Sequence, residues 1–307
     1  MASIALVFSG QGAQYPGMGS SLYQNCASAK ETLDSLNTIR PETKEQLFSA
    51  SAEQLKDTRN TQPCILAVSL MAGSALCEKG IIPKAVAGFS LGELSALAFA
   101  KVFTQSAAMK LAVCRGQIMA EAASEVKTCM CAVMKLPSEK VESLASEFSN
   151  IYPVNFNSPK QVVVAGEEQS MLLFADAVKE AGGRVVPLKV SGAFHSPYME
   201  AASELFEKQL QSFHVSPPVI PVYSCMTATT YSSDSAEIRK QFAAQMKSPV
   251  LWQKTIENMM DNGIDTFIEC GPGKTLKGLI EQCTDKLTVL NVEDTDSLNA
   301  TIEHLGK

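Results

Sequence analysis

Residues 85–100 read Ala-Val-Ala-Gly-Phe-Ser-Leu-Gly-Glu-Leu-Ser-Ala-Leu-Ala-Phe-Ala. The first three residues make a short buried strand that stops at Gly88, and 91–100 is a helix with an almost wholly apolar surface. The turn between them, Gly88-Phe89-Ser90-Leu91-Gly92, is G-x-S-x-G in the strand-to-helix context that a nucleophile elbow requires. Its glycines permit a sharp turn that lifts the Ser90 hydroxyl off the backbone. The helix N-terminus behind it offers free N–H groups and a positive dipole end to a developing oxyanion. The plainer reading is a glycine-rich turn with an incidental serine, and the strand–helix context tells against it.

Outward from the elbow the same alternation recurs. A β-rich run at 4–8 stops at Gly10-Gln11-Gly12, 62–76 and 106–123 have helical spacing, and strands are predicted at 266–269 and 287–291. Short apolar strands separated by helices predict an α/β fold with a parallel sheet. The middle of the chain reads differently. A strand at 129–134, a helix at 138–147, strands at 153–157 and 161–165, a helix at 170–181 and a strand at 184–188 follow one another. That order, β-α-β-β-α-β over about 60 residues, is the ferredoxin-like unit. The prediction is a small ferredoxin-like subdomain at 127–191, inserted in a large α/β subdomain made of 1–126 and 192–307.

The 307 residues suit one large domain or two moderate ones. With 46% hydrophobic and 19% charged residues the chain is a folded globule, since a disordered one would be more charged and less apolar. A net charge of −6 disfavours a nucleic-acid binder. Nine cysteines without framework spacing point to a reducing compartment, and Cys129-Met130-Cys131 is not the C-x-x-C of a metal or redox motif. No run reaches the ~18 apolar residues of a membrane span, and the apolar N-terminus lacks a basic leader. The expectation is a soluble, cytoplasmic protein without a metal.

A serine nucleophile needs a base, and there are three histidines. His304 is close to the C-terminus, and His214 is expected to end an amphipathic helix. His195 lies in Ser191-Gly192-Ala193-Phe194-His195-Ser196-Pro197, where the insert rejoins the large subdomain, and elimination favours it. Arg115 falls within the apolar stripe of its helix, at 108, 111, 112, 118, 119 and 122, so it needs a partner. Two are open: Glu93, one turn after Ser90, or the carboxylate of a substrate held in the guanidinium fork. Gly271-Pro272-Gly273-Lys274-Thr275 looks like a P-loop, but residue 268 is Ile268 where the first glycine should stand.

These motifs together resemble the malonyl-CoA:acyl carrier protein transacylases of fatty-acid synthesis and the acyltransferase domains of polyketide synthases. The likeness runs from Phe8-Ser9-Gly10-Gln11-Gly12 through Thr61-Gln62-Pro63, the elbow, the Arg115 helix, Val154-Asn155-Phe156-Asn157-Ser158-Pro159 and Gly192-Ala193-Phe194-His195-Ser196 to Glu269-Cys270-Gly271-Pro272-Gly273. It implies a hydrolase-like large subdomain and ping-pong transfer. Ser90, activated by His195, takes the malonyl group from malonyl-CoA, and the phosphopantetheine thiol of acyl carrier protein then receives it; no permanently bound cofactor is implied. The resemblance further implies oxyanion donors in the Gln11 and Leu91 N–H groups, Arg115 on the malonyl carboxylate, and the Gln245 main-chain carbonyl orienting the histidine. Gln62 and Asn157 are implied substrate contacts. Phe194 is implied in malonyl selection, its ring filling the space of an α-methyl branch.

Two departures stand out: Phe89 replaces the histidine of the family's G-H-S-x-G, and Cys225 stands where asparagine is common. An acidic carrier partner calls for a basic rim, with Lys189, Lys247, Lys274 and Lys277 as candidates. Beginning at Met1 and ending soon after the last predicted strand, the chain reads as a free-standing enzyme. The competing readings are a polyketide acyltransferase, a serine thioesterase or hydrolase, which would want an acid third member, and a non-catalytic carrier-binding module.

Overall fold

Residues 2–190 and 192–307 are described in a computed structural model; Met1 and Ser191, the latter the expected end of the insert, lie outside the described residues. Nine strands are present there: β1 (Ile4–Phe8), β2 (Ala85–Gly88), β3 (Thr128–Met134), β4 (Ile151–Ser158), β5 (Gln161–Glu167), β6 (Arg184–Pro187), β7 (Val222–Tyr223), β8 (Thr266–Cys270) and β9 (Thr288–Val292). The first sheet has the order β7-β2-β1-β8-β9 and every pairing in it is parallel. Its central strands β1, β2 and β8 are buried at every position, because helices cover both faces, and so they read as continuous apolar runs.

The chain runs outward from β1 to β2 and β7 on one side and later to β8 and β9 on the other. The crevice at the carboxyl ends of β2, β1 and β8 is therefore where a ligand site is expected in such a sheet. Three turns project there: the elbow after β2, Gly10-Gln11-Gly12 after β1 and Gly271-Pro272-Gly273 after β8. Only glycine permits the packing beneath the elbow. A Cβ on Gly92 would lie 2.0 Å from the Phe8 carbonyl oxygen, and one on Gly88 would lie 2.0 Å from the Gly92 carbonyl carbon. Gly92→Ala is expected to cost about 3 kcal/mol or more of stability, because backbone, not a flexible side chain, must move. Urea unfolding reads this as a lowered midpoint at unchanged slope; an unmoved midpoint would contradict the contact.

The second sheet is antiparallel, with the order β4-β5-β3-β6, and its strands and two helices follow the predicted sequence of elements. Its edge strand β4 carries Pro153 and two register shifts, at Pro153/Asn155 and Phe156/Ser158. Such irregularities suit an edge that must bend. The outer side of β4 is taken up by the chain leading to the first sheet: Phe156 N–H donates to the Val250 carbonyl at 2.8 Å, and Val250 N–H to that of Val154 at 2.8 Å. This seam sets Asn155 and Asn157 beside the crevice.

The predicted helices around the site form as Thr58–Glu78, Leu91–Phe99 and Gln105–Glu125. Helices at Ala27–Ile39, Ser235–Ala244 and Trp252–Asp261 lie where no element is predicted. His214 is a correction: the helix Glu200–Leu210 closes before it, leaving His214 in an exposed loop. No helix among the described residues is long and apolar enough to cross a membrane.

Candidate active site

Ser90 caps the helix Leu91–Phe99 with φ 52° and ψ −106°, a conformation that costs a non-glycine residue about 1–3 kcal/mol and persists only where packing enforces it. His195 also has positive φ, 62°. The two strained residues meet: the Ser90 hydroxyl lies 2.7 Å from His195 Nε2. On the other side of the ring, Nδ1 lies 2.9 Å from the Gln245 carbonyl oxygen and 3.2 Å from that of Ser248. A carbonyl can only accept, so Nδ1 carries the proton and the Nε2 lone pair faces Ser90. The serine therefore donates to a histidine poised to take its proton, and main-chain oxygens orient the base in place of a carboxylate.

Arg115 is 1% exposed and has no carboxylate partner among the described residues. Nη1 donates to Gln62 Oε1 at 3.1 Å, and Nη2 to Gln245 Oε1 at 2.9 Å and to Ser90 Oγ at 3.4 Å. Nε is buried without a partner among the described residues. The Glu93 alternative is not realised: its carboxyl accepts from the Cys225 N–H at 2.5 Å and from the Tyr231 hydroxyl. Burial pulls the Arg115 pKa down to about 10, which leaves it charged at neutral pH. Burial and, after it, the Arg115 charge push His195 down to about 4, so the ring is neutral and free to accept a proton.

A cavity of about 480 Å³ opens onto these groups. Gln11, Ser90, Arg115, Asn157, Phe194 and His195 line it. Gln62 and Gln245 do not line it; Leu91, next to Ser90, presents its main-chain N–H at the head of the helix. Gln62 holds Arg115, which lines the cavity. The Gln11 side chain donates to Thr58 Oγ1 at 3.1 Å. Neither its N–H nor that of Leu91 is engaged by another group among the described residues. Asn157 Nδ2 donates to Gln161 Oε1 at 2.7 Å, while Asn157 Oδ1 is buried without a partner among the described residues.

The acyl transferase domain family matches residues 5–302. The chain belongs to this family. It is 32% identical to the malonyl CoA-acyl carrier protein transacylase of Bacillus subtilis, over 99% of this chain and 98% of that one. The crystal structure of the enzyme of the same name from Clostridium perfringens superposes with a TM-score of 0.95 at 34% identity, covering 99% of this chain and 98% of that one. A malonyl-transacylase in complex with a holo type II PKS acyl-carrier protein superposes with a TM-score of 0.94 at 32% identity, covering 99% of this chain and all of that one.

Against the acyl transferase pattern, the two departures have local compensations. The Phe89 ring packs edge-on against Trp252, with centroids 5.5 Å apart, so this corner is apolar. Cys225 Sγ lies 3.6 Å from Gln245 Nε2 and takes up part of what an asparagine oxygen would accept. Sequence reasoning missed the Ser248 carbonyl, the Gln245 side chain, Asn155 and Glu269. The Gln245 amide ties Arg115 to the Ser90 carbonyl, donating to the latter at 2.8 Å. Asn155 lines the cavity with an Oδ1 that has no partner among the described residues. Glu269 also lines it, accepting from Ser9 Oγ at 3.1 Å, and burial raises it to about 7. Of the four lysines, Lys189 lines the cavity; Lys247, Lys274 and Lys277 pair with Glu200, Glu293 and Glu281. Lys56 lines the cavity as well.

Proposed function

We propose that the chain is an acyl-carrier-protein S-malonyltransferase that supplies extender units for fatty-acid synthesis. The observation that carries this reading is Arg115, a buried cation beside Ser90 and His195 that lacks a protein carboxylate. An unpaired buried charge is costly, and a free malonyl carboxylate is the partner the fork accepts. An esterase or thioesterase gains nothing from it.

In the first half-reaction Ser90 Oγ attacks the thioester carbonyl of malonyl-CoA as its proton passes to His195 Nε2. The Gln11 and Leu91 N–H groups receive the oxyanion. The tetrahedral intermediate collapses, the C–S bond breaks, and CoA leaves with the proton from His195. In the second, the phosphopantetheine thiol gives its proton to His195 and attacks the malonyl-serine ester; Ser90 leaves and takes the proton back. Both halves are thiol-to-oxygen acyl exchanges in opposite directions, so one base serves both and no bound cofactor or metal is required.

The parallel sheet belongs to a hydrolase-like subdomain of residues 1–126 and 192–307, and the antiparallel sheet to a ferredoxin-like one at 127–191, with the cavity between them. Phe194 crowds the α-carbon and favours malonyl over methylmalonyl by about 10- to 100-fold. Asn157 contacts the substrate from the ferredoxin-like side. Nine free thiols and a CoA-thioester substrate suit a reducing, cytoplasmic setting.

Intact-protein mass spectrometry after mixing with malonyl-CoA, followed by holo carrier protein, tests the function. The expected result is a malonyl adduct that moves to the carrier. An adduct lost to water equally fast without carrier would mean a hydrolase, and no adduct would remove the malonyl reading. A fatty-acid carrier and a polyketide carrier offered in parallel distinguish the two pathways by rate.

A further inference from the structure

Arg115 and His195 share one hydrogen-bonding atom. Ser90 Oγ is 2.7 Å from His195 Nε2 and 3.4 Å from Arg115 Nη2. Without substrate, a full positive charge sits next to the imidazole that must become positive during catalysis. Among the described residues Glu93 acts on Arg115 through space without forming an ion pair with it, and no carboxylate touches the His195 ring. From the elbow and its helix comes Glu93, whose carboxyl is engaged by Tyr231 and Cys225. From the segment after β7 comes Cys225, a thiol held neutral by burial. From the turn Gln245–Lys247 comes Lys247, paired at the surface with Glu200 of the helix Glu200–Leu210. Across the cavity, Glu269 is occupied by Ser9 and by the N–H groups of Leu276 and Lys277. Arg115 is therefore the charge that weakens the base.

We propose that the free carboxylate of the substrate, once seated on Arg115, strengthens His195 as a base and so promotes the acylation that the substrate itself undergoes. The inference rests on the malonyl reading above and adds a second layer of selectivity to it. An incoming carboxylate supplies a counter-charge in direct contact, the hydrogen-bonded partner that the Arg115 fork lacks. It also draws Nη2 from the Ser90 oxygen, freeing a lone pair for attack. A base whose pKa lies nearer the working pH transfers protons more effectively. An acetyl thioester reaches the same serine but leaves the Arg115 charge uncancelled, so it meets a weaker base as well as an empty carboxylate site. Malonyl and acetyl donors are thus separated in the chemical step, not in binding alone.

The test uses the complete Ser90→Ala protein, which binds donors without reacting, with isotope-labelled histidine. NMR follows the ring with pH; the His195 signal is assigned by its loss in Ser90→Ala/His195→Gln. Calorimetry verifies saturation with malonyl-CoA or acetyl-CoA. The His195 midpoint is expected to rise by about one to three pH units with malonyl-CoA and by under about half a unit with acetyl-CoA. In Ser90→Ala/Arg115→Met the midpoint is raised without any donor, and malonyl-CoA adds nothing. A ring that stays neutral to the acid limit of the fold when free or acetyl-CoA-bound, and titrates above that limit with malonyl-CoA, is the same result. Equal midpoints with the two donors bound overturn the inference and leave the malonyl reading standing. Absence of saturable malonyl-CoA binding overturns that reading, and the inference with it.

Discussion

Ser90→Ala is expected to show no malonyl adduct and to transfer malonyl groups at least about 10³-fold more slowly than the unmodified chain. The reason is covalent: without Oγ there is no atom to carry the acyl group between the two thiols, and the 2.7 Å contact to His195 Nε2 has nothing to deprotonate. The fold should barely notice. Alanine keeps the Cβ that already sits at positive φ, so the strain stays and stability should remain within about 1 kcal/mol. Serine and histidine act as a unit, so Ser90→Ala/His195→Ala is expected to be no slower than Ser90→Ala alone. Stopped-flow acylation and adduct mass are the measurements. Full loading of the Ser90→Ala protein would remove the serine from the mechanism.

Arg115→Ala is expected to lower kcat/KM for malonyl-CoA by roughly 10²- to 10³-fold while changing that for acetyl-CoA less than tenfold. Losing one partner of a buried ion pair costs about 3–5 kcal/mol, and each ~1.4 kcal/mol is tenfold. Stability separates this role from a structural one. In the free protein Arg115 is a buried cation satisfied only by the neutral oxygens of Gln62, Gln245 and Ser90. Removing an unpaired charge relieves a penalty, which offsets the cavity left by the missing side chain. Arg115→Met, which keeps more of the volume, should match or exceed the unmodified chain in urea. Equal losses for both donors together with a lowered midpoint would make Arg115 a structural residue.

Much of this was legible in the chain before it folds. The strands at 4–8, 85–87 and 266–269, the glycine-flanked turn at Ser90, and the β-α-β-β-α-β order of the middle segment are patterns among neighbours a few residues apart. Periodicity, turn chemistry and helix caps act over that range, so a linear reading reaches them. The arginine in an apolar stripe was equally visible, because burial of one helix face follows from spacing alone.

Its partner was not visible. Gln62 and Gln245 reach Arg115 across 53 and 130 positions. At such separations a side chain's neighbours are set by how whole elements pack. Glu93, one turn from Ser90, was drawn instead to Tyr231 and the Cys225 N–H, across 138 and 132 positions. The Ser248 carbonyl had no signature at all, since every residue carries one. The residue types needed for the chemistry are thus written in the chain. Which of them meet, and that Arg115 is left without a carboxylate, was decided only when two sheets and their loops closed on one crevice.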